Sequence, residues 1–179
     1  MDQQIAALLQ NGTWTLITLP DSKKAISSKW IYKLKLNPDG SIYGYKTCLM
    51  AKGYNQIEGV DYTESFSPVA KTITVRMFHS IVAAYSWLLY QLDINNAFLH
   101  GTLDWEIYML ATEGYFVAEG LVCKLQKSLY CLKEASRQWN LEFTSRIAVY
   151  RFSHTTHDPI SLSKQFHMDL SHSWSTWIT

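Results

Sequence analysis

The stretch KWIYKLKLNPDGSIYGYKTCLMAKGY, residues 29–54, constrains the fold more than any other part of the chain. Trp30, Tyr32, Leu34 and Leu36 alternate with Lys29, Lys33 and Lys35, the period of two of a strand with unlike faces. Asn37-Pro38-Asp39-Gly40 is a strong turn signal, and residues 41–54 return from it. The stretch therefore predicts a β-hairpin with one apolar face and one lysine face. The lysine face admits two readings. It is a solvated sheet surface, or it follows a phosphate backbone, since lysines and aromatics are mixed here.

Charge is local rather than global. The 179 residues carry a net charge of only +1, so whole-chain electrostatics announces no nucleic-acid partner. Residues 23–52, by contrast, hold Lys23, Lys24, Lys29, Lys33, Lys35, Lys46 and Lys52 against one acid, Asp39. Cys48, Cys123 and Cys131 are widely spaced, odd in number and outside any zinc spacing, which points to a reducing setting without a disulfide framework. No stretch reaches the roughly 18 apolar residues of a membrane-spanning helix, and the N-terminus lacks the pattern of a signal peptide.

The remaining segments mix helix and strand without regular alternation, which predicts an α+β fold. Residues 2–10 read as a short helix with Ile5, Leu8 and Leu9 on one face, ended by Asn11-Gly12. Residues 13–19, 106–110 and 121–129 read as strands. Residues 54–70 read as irregular. Residues 74–87 read as a buried amphipathic helix, and residues 88–94, LLYQLDI, as a buried strand. Residues 134–150 read as a helix with Trp139, Phe143, Ile147 and Tyr150 at helical spacing.

Asp93 stands out because it sits between Leu92 and Ile94 near the end of an apolar run, before Asn95-Asn96. One reading is an aspartate that caps the following turn. The other is a metal-binding carboxylate at a strand end above a cleft, the kind of oxygen ligand that phosphoryl transfer requires.

The blocks NGTWTLITLP, KWIYKLKLNPDGSIYGYK, AKGYNQIEGVDYTESFSPVAK, QLDINNAFLHGTLDWEIYM and LVCKLQKSLYCLKEASRQWN settle the choice by resemblance. In order and spacing, over roughly residues 2–165, the chain resembles the reverse transcriptase of copia-type LTR retrotransposons. That resemblance implies an incomplete right-hand polymerase: fingers over about 13–84, a palm strand over 85–98, a fingers return over 99–130 and a palm helix over 131–152. It implies that Asp93 is the first catalytic aspartate and a Mg²⁺ ligand, with Ile94 beside it at the metal position. It implies that Phe98 screens the 2′-hydroxyl of the incoming nucleotide, that Lys46 and Lys52 contact its phosphates from the fingers, and that Glu134 lies in the block abutting the nucleotide. The implied partners are an RNA or DNA primer–template and deoxynucleotides. No membrane is implied, and the oligomeric state is left open.

The chain departs from the family pattern at defined places. Cys48 stands where the resemblance expects an arginine, which could grip triphosphate oxygens in a fork. Cys131 stands at a usual glycine and Glu134 at a usual glutamine. The Tyr-Val-Asp-Asp motif that carries the family's other catalytic carboxylates is absent from the 179 residues, and Asp169, followed by Leu170, is a poor substitute. With serines on TCN codons, the third-base frame of His167–Ile178 admits Gly-Phe-Ile-Ala-Leu-Leu-Val-Tyr-Val-Asp, the family's approach to that motif. The expectation is a frameshift between about Leu162 and Met168, leaving 166–179 as an out-of-frame, disordered tail; an unrelated spliced end is the alternative. The start, Met1-Asp2-Gln3, reads as a methionine inside the family's first helix. The expected function is thus a polymerase fragment inactive by itself, with a non-catalytic nucleic-acid-binding remnant or a functionless product as rivals.

Overall fold

The computed structural model describes residues 1–155 and the strands Leu162–Lys164 and Trp174–Thr176. It combines helices and sheets, as the mixed pattern predicts, in two units: Met1–Phe66 with Ala97–Trp139, and Ser67–Asn96 with Asn140–Thr179.

The first unit opens with helix α1, Asp2–Gln10. Ile5 and Leu8 are buried, whereas Leu9, expected on the same face, is exposed. Gly12 ends the helix with φ +65°, a left-handed conformation that glycine adopts without steric cost. A four-stranded sheet follows in the order β1 (Trp14–Thr18), β6 (Leu121–Leu125), β5 (Tyr108–Met109), β2 (Ala25–Ile26). The β1–β6 and β5–β6 pairs are antiparallel and β2–β5 is parallel. Thr13, just before β1, is buried, and its carbonyl accepts from the N–H groups of Gln126 and Lys127. The core gathers Leu8, Trp14, Ile26, Ile107, Met109 and Leu125 with Leu129 and Leu132.

Strands β3 (Ser28–Leu36) and β4 (Ile42–Ala51) form the expected hairpin. Asp39 closes its turn by accepting from the Ser41 N–H and hydroxyl, which holds its carboxyl below the ordinary range. Gly40 takes φ +84° there. Cross-strand partners share a face. Trp30 with Leu49, Tyr32 with Thr47 and Leu34 with Tyr45 make the apolar face. Lys29 with Met50, Ile31 with Cys48, Lys33 with Lys46 and Lys35 with Gly44 make the other. Only the root of the apolar face is covered: Leu49 is 1% exposed, Leu34 52%. The root packs on the core while the tip runs past it, so alternation alone overstated burial.

The second unit contains helix α2 (Thr72–Ala84), the C-terminal part of helix α3 (Ala135–Ala148), and an antiparallel sheet of β7 (Ser153–His154), β8 (Leu162–Lys164) and β9 (Trp174–Thr176). Two expectations are corrected here. Of the residues of α2, Val82 alone is buried, so α2 is not a buried helix. Residues 88–94 form no strand, and Leu92 is 85% exposed. A strand exists through its ladder partners, and among the described residues none pairs with 88–94. Of the expected tail, Trp174–Thr176 is the described part; Asp169 and Trp177 lie outside the described residues.

The unequal cover of the hairpin predicts unequal mutational costs. Leu49→Ala should destabilise by about 2–5 kcal/mol, whereas Leu34→Ser should stay within about 0.5 kcal/mol. Urea denaturation of the two variants measures both, and equal costs would contradict this placement of the hairpin root.

Candidate functional site

The lysine face is the best-defined polar surface of the first unit. Register aligns Lys29, Lys33 and Lys35 of β3 with Lys46 of β4 on one side, and Lys33 lies directly opposite Lys46. Like charges directly opposed destabilise a sheet, so this pair carries a repulsive cost. Lys46 is exposed. Lys52 is half-buried just past β4, its backbone N–H donating to the Ser27 carbonyl at 2.8 Å.

One end of this face meets a loop distant in sequence. Met50 pairs with Tyr130 in a parallel bridge, and the Ala51 N–H donates to the Tyr130 carbonyl at 3.0 Å. Tyr130 in turn receives Phe98, which lies half-buried in the 3₁₀ turn Ala97–His100; the two rings meet edge-to-face at 5.5 Å. So Phe98, Tyr130 and β4 are brought into one contiguous array. Next to Tyr130, Cys131 takes φ +71°, and its thiol donates to the Met50 sulfur at 3.7 Å. Burial pushes the half-buried Cys48 thiol up, Lys46 opposes that shift, and the neighbouring Cys131 adds to it.

The same loop explains two glycine positions. A Cβ on Gly53 would stand 2.0 Å from the Cys131 carbonyl oxygen, so no side chain fits there. Gln56, buried behind it, accepts from the Lys133 N–H at 2.8 Å. The glycine that the resemblance expects at 131 has an equally local cause: the backbone is left-handed at that residue, and a Cβ costs energy there.

Glu134 is placed differently from the lysines. It is 1% exposed, with its Oε1 lacking a partner and its Oε2 at 3.5 Å from the Gln138 amide. Burial raises its pKa most, the Gln138 hydrogen bond is the largest opposing effect, and Asp104 (raising) and Arg137 (lowering) contribute less. Arg137 makes ion pairs with Glu64 at 3.3 Å and Asp104 at 3.9 Å. Asp93 and Ile94 belong to the second unit and are exposed. Among the described residues no group of three or more His, Cys, Asp or Glu could hold a metal ion. The described residues therefore do not fit a two-ion carboxylate site. Sequence reasoning missed Tyr130, Gly53 and Gln56. A glycine directly after a strand was the available signal for close backbone approach.

Two predictions follow from the loop. Cys131→Gly should stabilise the chain by about 1 kcal/mol by relieving the left-handed backbone, read as a rise in the thermal midpoint. For Glu134, the folded pKa is raised above the ordinary 4.5. Its contribution is therefore fully present below that value and is lost as pH rises through the folded pKa. Glu134→Gln should make the chain more stable at pH 7 and flatten the fall in stability above pH 4.5; urea midpoints across that range measure it, and parallel curves would refute it.

The family model described as reverse transcriptase (RNA-dependent DNA polymerase) matches residues 11–165. The chain is 42% identical over 168 residues to the retrovirus-related Pol polyprotein from transposon TNT 1-94 of Nicotiana tabacum, covering 93% of this chain and 13% of that protein. It is 42% identical over 161 residues to the retrovirus-related Pol polyprotein from transposon RE1 of Arabidopsis thaliana, and 40% identical over 161 residues to that from transposon RE2. Each of those two matches covers 88% of this chain and 11% of the relative, so the chain spans only about an eighth of the curated relatives' length. No solved structure matches the chain.

Proposed function

The chain belongs to the reverse transcriptase (RNA-dependent DNA polymerase) family, and from that membership we propose that it is the fingers and partial palm of a right-hand polymerase from a copia-type Pol polyprotein. By descent its chemistry is templated addition of deoxynucleotides to a primer. The observation that carries this reading to the molecule is the lysine face. Lys29, Lys33, Lys35 and Lys46 line one side of an exposed hairpin that ends against Phe98 and Tyr130. In this reading the face tracks template or triphosphate phosphates, Lys52 supports it from the half-buried end of β4, and Phe98, fixed by Tyr130, gates the sugar of the incoming nucleotide.

The family generally works with a divalent metal, and Mg²⁺ with Asp93 and Ile94 is the expectation for this chain. The described residues supply no second carboxylate to Asp93, so no metal-dependent step is derived for them. Glu134, being buried, serves this reading as a support of the loop rather than as a phosphate contact. Among the described residues no helix is long and apolar enough to cross a membrane. A second reading is a non-catalytic remnant that binds nucleic acid without extending it, since among the described residues no carboxylate cluster accompanies Asp93.

Extension of a labelled DNA primer on an RNA template, with deoxynucleotides and Mg²⁺, separates the readings. The 179-residue polypeptide is expected to give no product, and Asp93→Ala is expected to behave identically. Product that disappears in Asp93→Ala would establish catalysis instead. Fluorescence anisotropy with an RNA–DNA hybrid should show binding that weakens with salt. Lys33→Gln and Lys46→Gln should each lower the slope of log affinity against log salt by about 1. Slopes unchanged in both variants would remove the lysine face from the interface.

A further inference from the structure

Where the hairpin meets the loop after β6, the sulfurs of Met50 and Cys131 meet from distant parts of the sequence, and Cys48, which feels the charge of Cys131, lies two residues from Met50 on the same strand. Cys48 and Met50 are two residues apart on one strand, so both point to the lysine side of the hairpin. Met50 also pairs with Tyr130, which places Cys131 beside it, and the Cys131 Sγ lies 3.7 Å from the Met50 Sδ. Cys48 is half-buried and Cys131 is exposed, so both thiols are free and the cluster opens to solvent. Their sequence spacing resembles no metal motif, because the hairpin and the loop bring the donors together only in the fold.

We propose that Cys48, Met50 and Cys131 form a binding site for a soft monovalent metal ion, with Cu(I) as the ion they select. Two sulfurs that share a metal at a bond length of about 2.3 Å stand about 3.8–4.0 Å apart for tetrahedral to trigonal angles. The Cys131–Met50 pair, at 3.7 Å, stands just short of that separation. The donor set decides the ion. Two thiolates and a thioether suit Cu(I), whereas Zn²⁺ prefers four thiolate or imidazole donors and Mg²⁺ prefers oxygens. Binding joins both thiols to the ion as thiolates and releases their two protons to solvent. No change of oxidation state is required, and a reducing setting keeps both metal and thiols competent. The site adjoins Lys46 on the same strand face, so its occupation would place a metal at the edge of the lysine surface.

Titration of the full chain under argon with Cu(I) held by a coloured chelator tests this directly. One equivalent of Cu(I) should be withdrawn from the chelator, with a rise in ultraviolet sulfur-to-copper absorption. Cys48→Ser and Cys131→Gly should each weaken binding on the order of tenfold or more, and Met50→Leu by a smaller factor. Cys131→Gly removes the thiol while relieving the left-handed backbone, so its loss of affinity is not a loss of folding; circular dichroism confirms that. Cys123→Ser, at a buried thiol outside the cluster, should leave affinity unchanged. A Cys48→Ser/Cys131→Gly double variant that binds as tightly as the parent, no withdrawal by the parent, or equal affinity for Zn²⁺ would each overturn the proposal.

Discussion

The closeness of backbones at Gly53 and Cys131 is the constraint on which the first unit depends. The hairpin is long and exposed, so it gains little from its own burial. Its root is held by a short set of contacts instead. Ala51 donates to Tyr130, Lys52 to Ser27, and Gln56 receives Lys133. These bonds fit together only because residue 53 has no Cβ. Leu49 and Ala51 then join the core that β5, β6 and the loop around Leu129 complete. Everything placed beyond the root, including the lysine face, inherits its position from this junction.

The hairpin was legible in the sequence because both of its determinants are local. Alternation sets which side chains share a face, and Asn37–Gly40 sets where the chain turns. The stretch 88–94 was misread for the opposite reason. Leu88, Leu89, Leu92 and Ile94 mark a segment suited to a sheet interior, but burial requires ladder partners, and those are not among the described residues. The candidate site was legible in part. Lysines and Phe98 could be picked out by type and by resemblance. The role of Tyr130 could not, since it arises from a contact with Phe98 thirty-two residues away in sequence.

Cys131 and Glu134 show how two side chains in one loop acquire separate costs. At 131 the cost is backbone strain, because a residue with a Cβ takes the left-handed conformation. At 134 it is electrostatic. A carboxylate occupies a buried site, Arg137 turns to Glu64 and Asp104, and the Gln138 amide gives Oε2 only a long contact. A neutral amide at 134 would carry no charge to desolvate. Both costs lie in the loop that positions Phe98 through Tyr130 and that supports the hairpin root.

Cys48, on β4, sets the chemistry of the surface that this loop borders. An arginine at 48 would project a fixed charge and a planar fork from the face that already carries Lys33 and Lys46. A thiol there removes that charge and puts a soft donor beside Met50 and Cys131. In the proposed reading the lysines attract phosphate by charge alone, which is non-specific and screened by salt. The sulfur cluster recognises a different ligand by donor type, at short range and with little dependence on salt. The proposed anion and soft-metal sites thus adjoin on one face of the hairpin, where Lys46, Cys48 and Met50 occupy alternate positions of β4 beside the lysines of β3.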